Sequence, residues 1–312
     1  MGGLAAAWAQ LPGNLRGTIL ILIANAILTG EAVFIRLLAE TLPTAQVVFV
    51  RCVAQLVFLL PTAWRSGRAI FRTNRRGLHL ARSALSLVSW QAYYYGLGHL
   101  PIAFATTLGF TNALFTTMLA GPVLGETVGW RRWAAAIVGF AGVLIVLRPG
   151  AVPIELPALA MIASALFGAC IVFVTKNLAG TERTATIMLY IAIVTTLGST
   201  IPGLASWQTP DTHGALLLAG IAVFGPSGMW FIINAIRAGE ASAIAPVQYL
   251  RLVYAVALGW WVFAEWPDAW TFVGAAIIVA STLYITRREA QLARRGRAAA
   301  ENAARGGAGD RR

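Results

Sequence analysis

The sequence predicts an all-α integral membrane protein, with ten transmembrane helices arranged as two inverted five-helix repeats. Three observations lead there. Of 312 residues, 58% are hydrophobic and only 12% charged, about half the charge a soluble domain carries. Apolar residues come in ten continuous runs, unlike the short alternating segments of a membrane β-barrel. The two halves align without a gap at an offset of 139 residues, yet their matching loops differ in charge.

A hydrocarbon core about 30 Å thick takes roughly 20 apolar residues of helix. Runs of this kind lie at 18–38, 46–64, 78–98, 101–121, 131–148, 157–177, 185–203, 216–236, 241–263 and 270–286. The first opens near Thr18, contains Glu31 and is long enough to span, so it reads as a helix and not as a cleavable leader. Thr41-Leu42-Pro43 separates it from the second, and Arg72 to Gly77 separates the second from the third. The fifth has Arg131, Arg132 and Arg148 crowded at its ends. Arg148-Pro149-Gly150, Thr209-Pro210-Asp211 and Glu265-Trp266-Pro267-Asp268 supply Pro, Gly and charge at later breaks. The resulting organisation is an N-terminal segment 1–17, a first repeat 18–148, a second repeat 157–286 and a basic tail 287–312. The tail, rich in Arg, Ala and Gly, reads as disordered and held near anionic lipid.

Net charge is +12, which in a soluble protein would suggest nucleic acid. Here the arginines cluster between apolar runs, where they act as topology signals. Alternate loops together with both termini hold 19 of the 24 basic residues, the opposite loops only Arg36 and Arg148. Both termini are therefore expected to be cytoplasmic.

At the 139-residue offset, Val33 and Phe34 fall on Val172 and Phe173, and Glu126 falls on Glu265. Five spans per half is an odd number, so the second half must enter the membrane upside down. The five arginines of the second loop accordingly have no Lys or Arg counterpart in 204–215. Inverted repeats place a substrate site near the midplane, where the halves meet and rock.

Leu124-Gly125-Glu126 followed by Gly139 and Gly142, and Gly259 to Glu265 followed by Trp270 and Gly274, resemble the two repeats of the EamA domain. Phe167-Gly168 with Phe173 and Lys176 is similar to that domain's opening. Two copies over 18–286 resemble the layout of the drug/metabolite transporter superfamily. That resemblance implies a permease for a small organic metabolite: an amino acid, a vitamin- or cofactor-like solute, or a drug-like one. Asn112-Ala113 and Arg251-Leu252 stand where the superfamily often has a mid-span proline.

A charge at mid-membrane costs about 3 kcal/mol on insertion scales, so it should face protein or water. Glu31 lies about 20 Å and Arg251 about 15 Å from the same side at the helical rise, so the two could pair or share a cavity. In the functional reading Arg251 holds an anionic group of the substrate, and Glu31 takes a cationic group or a coupling proton. In the structural reading they form a buried ion pair. Trp90, Gln91 and Tyr94 in the third span, Asn112 in the fourth, Trp230 and Asn234 in the eighth, and Gln248 three residues before Arg251 are further candidates for the site. Interfacial aromatic belts and helix-to-helix hydrogen bonds are the competing roles for these residues. Glu126 and Glu265, at span ends, read as structural, capping a helix start or fixing a loop. Arg36 and Arg51 are expected to snorkel to the outer interface.

Other classes fit less well. His79, His99 and His213 lack metal-ligand spacing, Cys52 and Cys170 sit inside apolar runs, and no P-loop sequence occurs. No cofactor is expected. A membrane-embedded enzyme, channel or scaffold is the alternative to a carrier in the inner membrane whose partners are a small solute, lipid and a coupling proton.

Overall fold

The structure, a computed structural model, describes residues 11–124, 129–148, 153, 155–179, 181–238 and 247–309. Among the described residues the regular structure is entirely helical, without strands. The helices are α1 (Gly13–Ala39), α2 (Thr44–Ser66), α3 (Arg76–His99), α4 (Ile102–Gly109), α5 (Thr111–Leu124) and α6 (Trp130–Leu147). They continue with α7 (Leu156–Ala179), α8 (Thr184–Ala205), α9 (Thr212–Ala238), α10 (Arg251–Phe263) and α11 (Ala269–Gly309), and a 3-10 turn covers Gly67–Phe71. Pro12, Pro43 and Pro101 stand immediately before α1, α2 and α4 with φ of −53°, −59° and −52°. Their rings preset the helical φ and remove N–H groups that would have no partner there.

Seven helical segments are long and apolar enough to cross a membrane, and two shorter apolar helices, Trp133–Leu147 and Arg251–Phe263, accompany them. α3 has the length, at 24 residues, but Arg76, His79, Arg82 and Ser83 dilute its first turns. Phe58, Ile137, Leu197 and Ile201 are exposed along the helices, a surface that suits lipid and not water. The protein is a multi-pass helical membrane protein.

Three elements depart from the sequence expectation. The run 101–121 holds as one span, Ile102–Ala120, but its helix is interrupted at Phe110, between α4 and α5. The hydroxyls of Thr107 and Thr111 bond back to the carbonyls of Ala103 and Leu108, and such bonds compete with the helical ladder. In the run 241–263, of which 241–246 lie outside the described residues, a turn at Tyr249 and Leu250 separates the helical residues Val247 and Gln248 from α10, which begins at Arg251. From Arg287 onward a disordered tail was expected, yet the backbone of α11 stays helical to Gly309. Its Ala, Arg, Gln and Glu residues are all strong helix formers.

Helices pair antiparallel along seams of small residues, as membrane packing requires. On α1 and α9, Leu28 meets Gly228, Glu31 meets Gly225, Phe34 meets Gly220, and Leu38 meets Gly214. α3 and α7 pair in the same sense, with Gly96 against Met161, Ser89 against Ser164, and Arg82 against Thr175. α2 packs on α8 and α6 on α11, with Phe49 against Gly203 and Gly142 against Gly274. One end of the bundle gathers Arg36, Leu100 and Glu265, the Arg148–Asp268 pair, and Gln46 with Gln208. The other gathers Thr73 with Glu182, Arg75 with Asn177, and Tyr190 with Phe71.

A Cβ at Gly228 would stand 2.5 Å from Leu28 Cδ2, whereas one at Gly77 meets nothing within 4 Å. Gly228→Val is therefore expected to destabilise the protein by about 1–3 kcal/mol, while Gly77→Ala leaves it unchanged. Thermal denaturation in detergent measures both, and equal midpoints would refute the seam.

Candidate functional site

Helices α1, α2 and α3 bring one acid and one base together in the bundle interior. Glu31, Arg51, Gln55 and Tyr94 are each no more than 6% exposed. Tyr94 Oη donates to Glu31 Oε1 at 2.7 Å, and Arg51 Nε lies 3.8 Å from the same oxygen. Arg51 Nη1 donates to Gln55 Oε1 at 2.9 Å, and its guanidinium stacks 3.8 Å over the ring of Trp90. On the far side, Gly225 of α9 leaves room: a Cβ there would stand 2.5 Å from Glu31 Oε1. Carboxylate, guanidinium, amide, phenol and indole face thus compensate one another's charge and polarity, while Arg51 Nε itself is buried without a hydrogen bond.

A second cation stands beside this group. Arg251, the first residue of α10, donates from Nη2 to Tyr93 Oη at 2.7 Å, and its Nε is buried without a hydrogen bond. Tyr93 and Tyr94 are consecutive on α3, with ring centroids 6.0 Å apart. One helix therefore carries a phenol toward the Glu31–Arg51 pair and another toward Arg251.

The structure brings Glu31, Trp90 and Tyr94 together and sets Arg251 one tyrosine away. Glu31 pairs with Arg51, not with Arg251. Arg51, 5% exposed beside Glu31, does not snorkel; Arg36, at one end of the bundle, bonds Glu265 and the Leu100 carbonyl and lies over Phe263. Gln91 is half-buried with no hydrogen bond among the described residues. Asn112 Nδ2 donates to the Ala165 carbonyl at 2.9 Å and ties α5 to α7. Asn234 bonds the Trp230 carbonyl of its own helix at 2.7 Å, and Trp230 itself is exposed. Gln248 is exposed and separated from Arg251 by the turn before α10. Glu126 lies outside the described residues. Arg51, Gln55 and Tyr93 were not among the sequence candidates. The spacing Arg51–Gln55, two polar residues one turn apart within an apolar run, was the signal available.

At the bundle end holding Arg36, a cavity of about 350 Å³ opens between α4, the end of α6 and the α10–α11 connection. Asp268 accepts from the Thr271 backbone N–H at 2.9 Å and from its hydroxyl, capping α11, and pairs with Arg148 Nη2 at 2.5 Å. Burial raises the Asp268 carboxyl, but the Thr271 bonds and Arg148 outweigh it and hold the group below its ordinary 3.8.

Helices with apolar exposed faces and charges paired between them define a helical membrane protein with a polar interior. A model of the EamA-like transporter family matches residues 15–148 and 156–287, and the chain belongs to that family. An S-adenosylmethionine uptake transporter of Rickettsia prowazekii (strain Madrid E) is 31% identical over 233 residues, 75% of this chain and 79% of that protein. A riboflavin transporter of Vibrio cholerae serotype O1 is 33% identical over 245 residues, 78% of this chain and 82% of its own. A solved crystal structure shares the fold, with a TM-score of 0.60 at 16% identity over 87% of this chain and 98% of that one.

Two outcomes are expected. Glu31→Gln leaves a buried guanidinium uncompensated and lowers stability by about 3–5 kcal/mol. Adding Arg51→Met to it restores most of the loss in a detergent unfolding assay, and a double variant worse than the single would contradict the pairing. A carboxyl held below its unfolded value contributes stability that is complete above that value and lost as pH falls through the folded one. The unfolding midpoint should therefore drop below about pH 4, with a shallower drop in Asp268→Asn, and parallel acid limbs would rule the cap out.

Proposed function

We propose that this protein is a secondary transporter of a small organic metabolite, working by alternating access between two inverted five-helix halves in the inner membrane, with both termini cytoplasmic. The helix seams support the inverted reading. Adding 139 to Leu38 gives Asn177, and subtracting 139 from Gly214 gives Arg75. Leu38 and Gly214 meet across α1 and α9, while Asn177 and Arg75 meet across α7 and α3. A contact in one half-and-half seam thus has its mirror in the other, as a two-fold axis in the membrane plane requires. The basic loops at 65–76 and their uncharged counterpart at 204–215 agree with opposite insertion.

The observation that carries the reading is the meeting of interior charges from both halves on one helix: Glu31 and Arg51 at Tyr94, and Arg251 at Tyr93. Arg251 is the group for an anionic part of the solute, and its fixed fork of donors suits a carboxylate or a planar imide. Trp90 and the two tyrosines offer aromatic faces. Glu31 is the residue for a coupling proton, since its protonation would release Arg51. The relatives named for S-adenosylmethionine and riboflavin support a solute of cofactor size.

Flux of radiolabelled S-adenosylmethionine and riboflavin into proteoliposomes, with and without a pH gradient, tests the proposal. Saturable, solute-specific uptake is expected for at least one of them, falling about tenfold or more in Arg251→Met. Unsaturable ion current, or normal uptake by a correctly inserted Arg251→Met protein, would end this reading.

A further inference from the structure

At the end of the bundle that carries the basic loop Arg72 to Arg76, residues of the first repeat meet residues of the second. Thr73 Oγ1 donates to Glu182 Oε1 at 2.6 Å, and Tyr190 Oη donates to the Phe71 carbonyl at 3.1 Å. The Tyr190 ring lies on the ring of His79, with centroids 4.5 Å apart and planes inclined by 27°. None of these groups takes part in the Glu31 or Arg251 sites.

This junction differs from the Arg36 end, which is tied by two ion pairs. The Glu182 side chain is 9% exposed, and its hydrogen bond among the described residues comes from a neutral hydroxyl. His79 Nε2 stands 3.8 Å from Glu182 Oε2, too far for a hydrogen bond. His79 is itself 1% exposed, and neither ring nitrogen has a hydrogen-bond partner among the described residues. A buried polar atom left unpaired costs about as much as a hydrogen bond is worth. Closing this end therefore makes the Glu182–Thr73 bond and removes the water that would satisfy His79. Opening it reverses both. The opposing effects are of similar size, so one bond can decide between two conformations.

We propose that Glu182 is the latch of a gate between the two repeats at this end: its bond to Thr73 holds the end shut, and its release opens the end and exposes His79 to water. The assignment rests on the carrier reading above and names the contact that governs one of its two openings.

Ser83, one turn deeper on α3 and 0% exposed, can report the opening. The full chain in membrane vesicles carries Cys52→Ser, Cys170→Ser and Ser83→Cys, and is labelled with a charged, membrane-impermeant thiol reagent. Applied from the Arg72–Arg76 side, the reagent should label about tenfold or more faster once Glu182→Ala or Thr73→Val is added. The two changes together should add little to either alone, because they remove the same bond. Glu182→Gln keeps an acceptor oxygen and should fall between. Glu265→Gln breaks the Arg36 pair at the opposite end, and it should leave the rate at or below the parent's. Thr73→Val keeps the side chain's shape, so it tests the latch even where Glu182→Ala fails to insert. Unchanged labelling in Thr73→Val, or equal acceleration by Glu265→Gln as a general loosening would give, would overturn the latch. Saturable flux by the wild type alongside those results leaves the carrier reading standing, whereas its absence defeats that reading separately.

Discussion

Inside a bilayer no water can take over a hydrogen bond that the protein leaves unmade, and a charge between helices must find its partner in the protein itself. Glu31 meets this constraint through Arg51 and Tyr94. That single oxygen gathers α1, α2 and α3, and Gly225 lets α9 close against them. The geometry of the interior follows from it. With Tyr94 turned to Glu31, the adjacent Tyr93 is left to Arg251, and α10 is drawn to the same helix. A buried pair of this kind adds little net stability compared with an apolar substitute, but it is intolerant of losing one member. Its effect is to specify which helices are neighbours.

The rest of the packing is made by small residues. Glycines on α9 admit Leu28, Glu31 and Phe34 of α1, and Gly96 with Ser89 allows α7 to approach α3. Without a hydrophobic drive between helices in lipid, such close contact is the main source of cohesion. The two ends of the bundle are tied differently. One uses the ion pairs Arg36–Glu265 and Arg148–Asp268, the other Thr73–Glu182 and backbone carbonyls that accept from Arg75 and Tyr190. Partly exposed ion pairs are individually weak and salt-sensitive.

Much of the fold was legible in the chain. Apolar runs located the helices because length and hydropathy are one-dimensional properties, and the constant offset that aligns Glu126 with Glu265 reports duplication directly. The interruption at Phe110 was not legible, since it depends on the fully buried hydroxyls of Thr107 and Thr111 bonding back to the carbonyls of Ala103 and Leu108. The helical course of 287–309 was missed because composition alone was taken as a sign of disorder, although its residues favour helix.

The candidate site was half visible. Sequence by itself determined that charges stand inside apolar runs and that two copies of one domain carry them, because both are properties of residue order alone. It could not decide that Glu31 belongs to Arg51, that Arg251 belongs to Tyr93, or that Glu265 belongs to Arg36. Those pairings depend on which helices are lateral neighbours and which face each one turns inward. Only the tertiary structure decides that, because azimuth and adjacency arise from packing small residues against large ones across seams far apart in the chain.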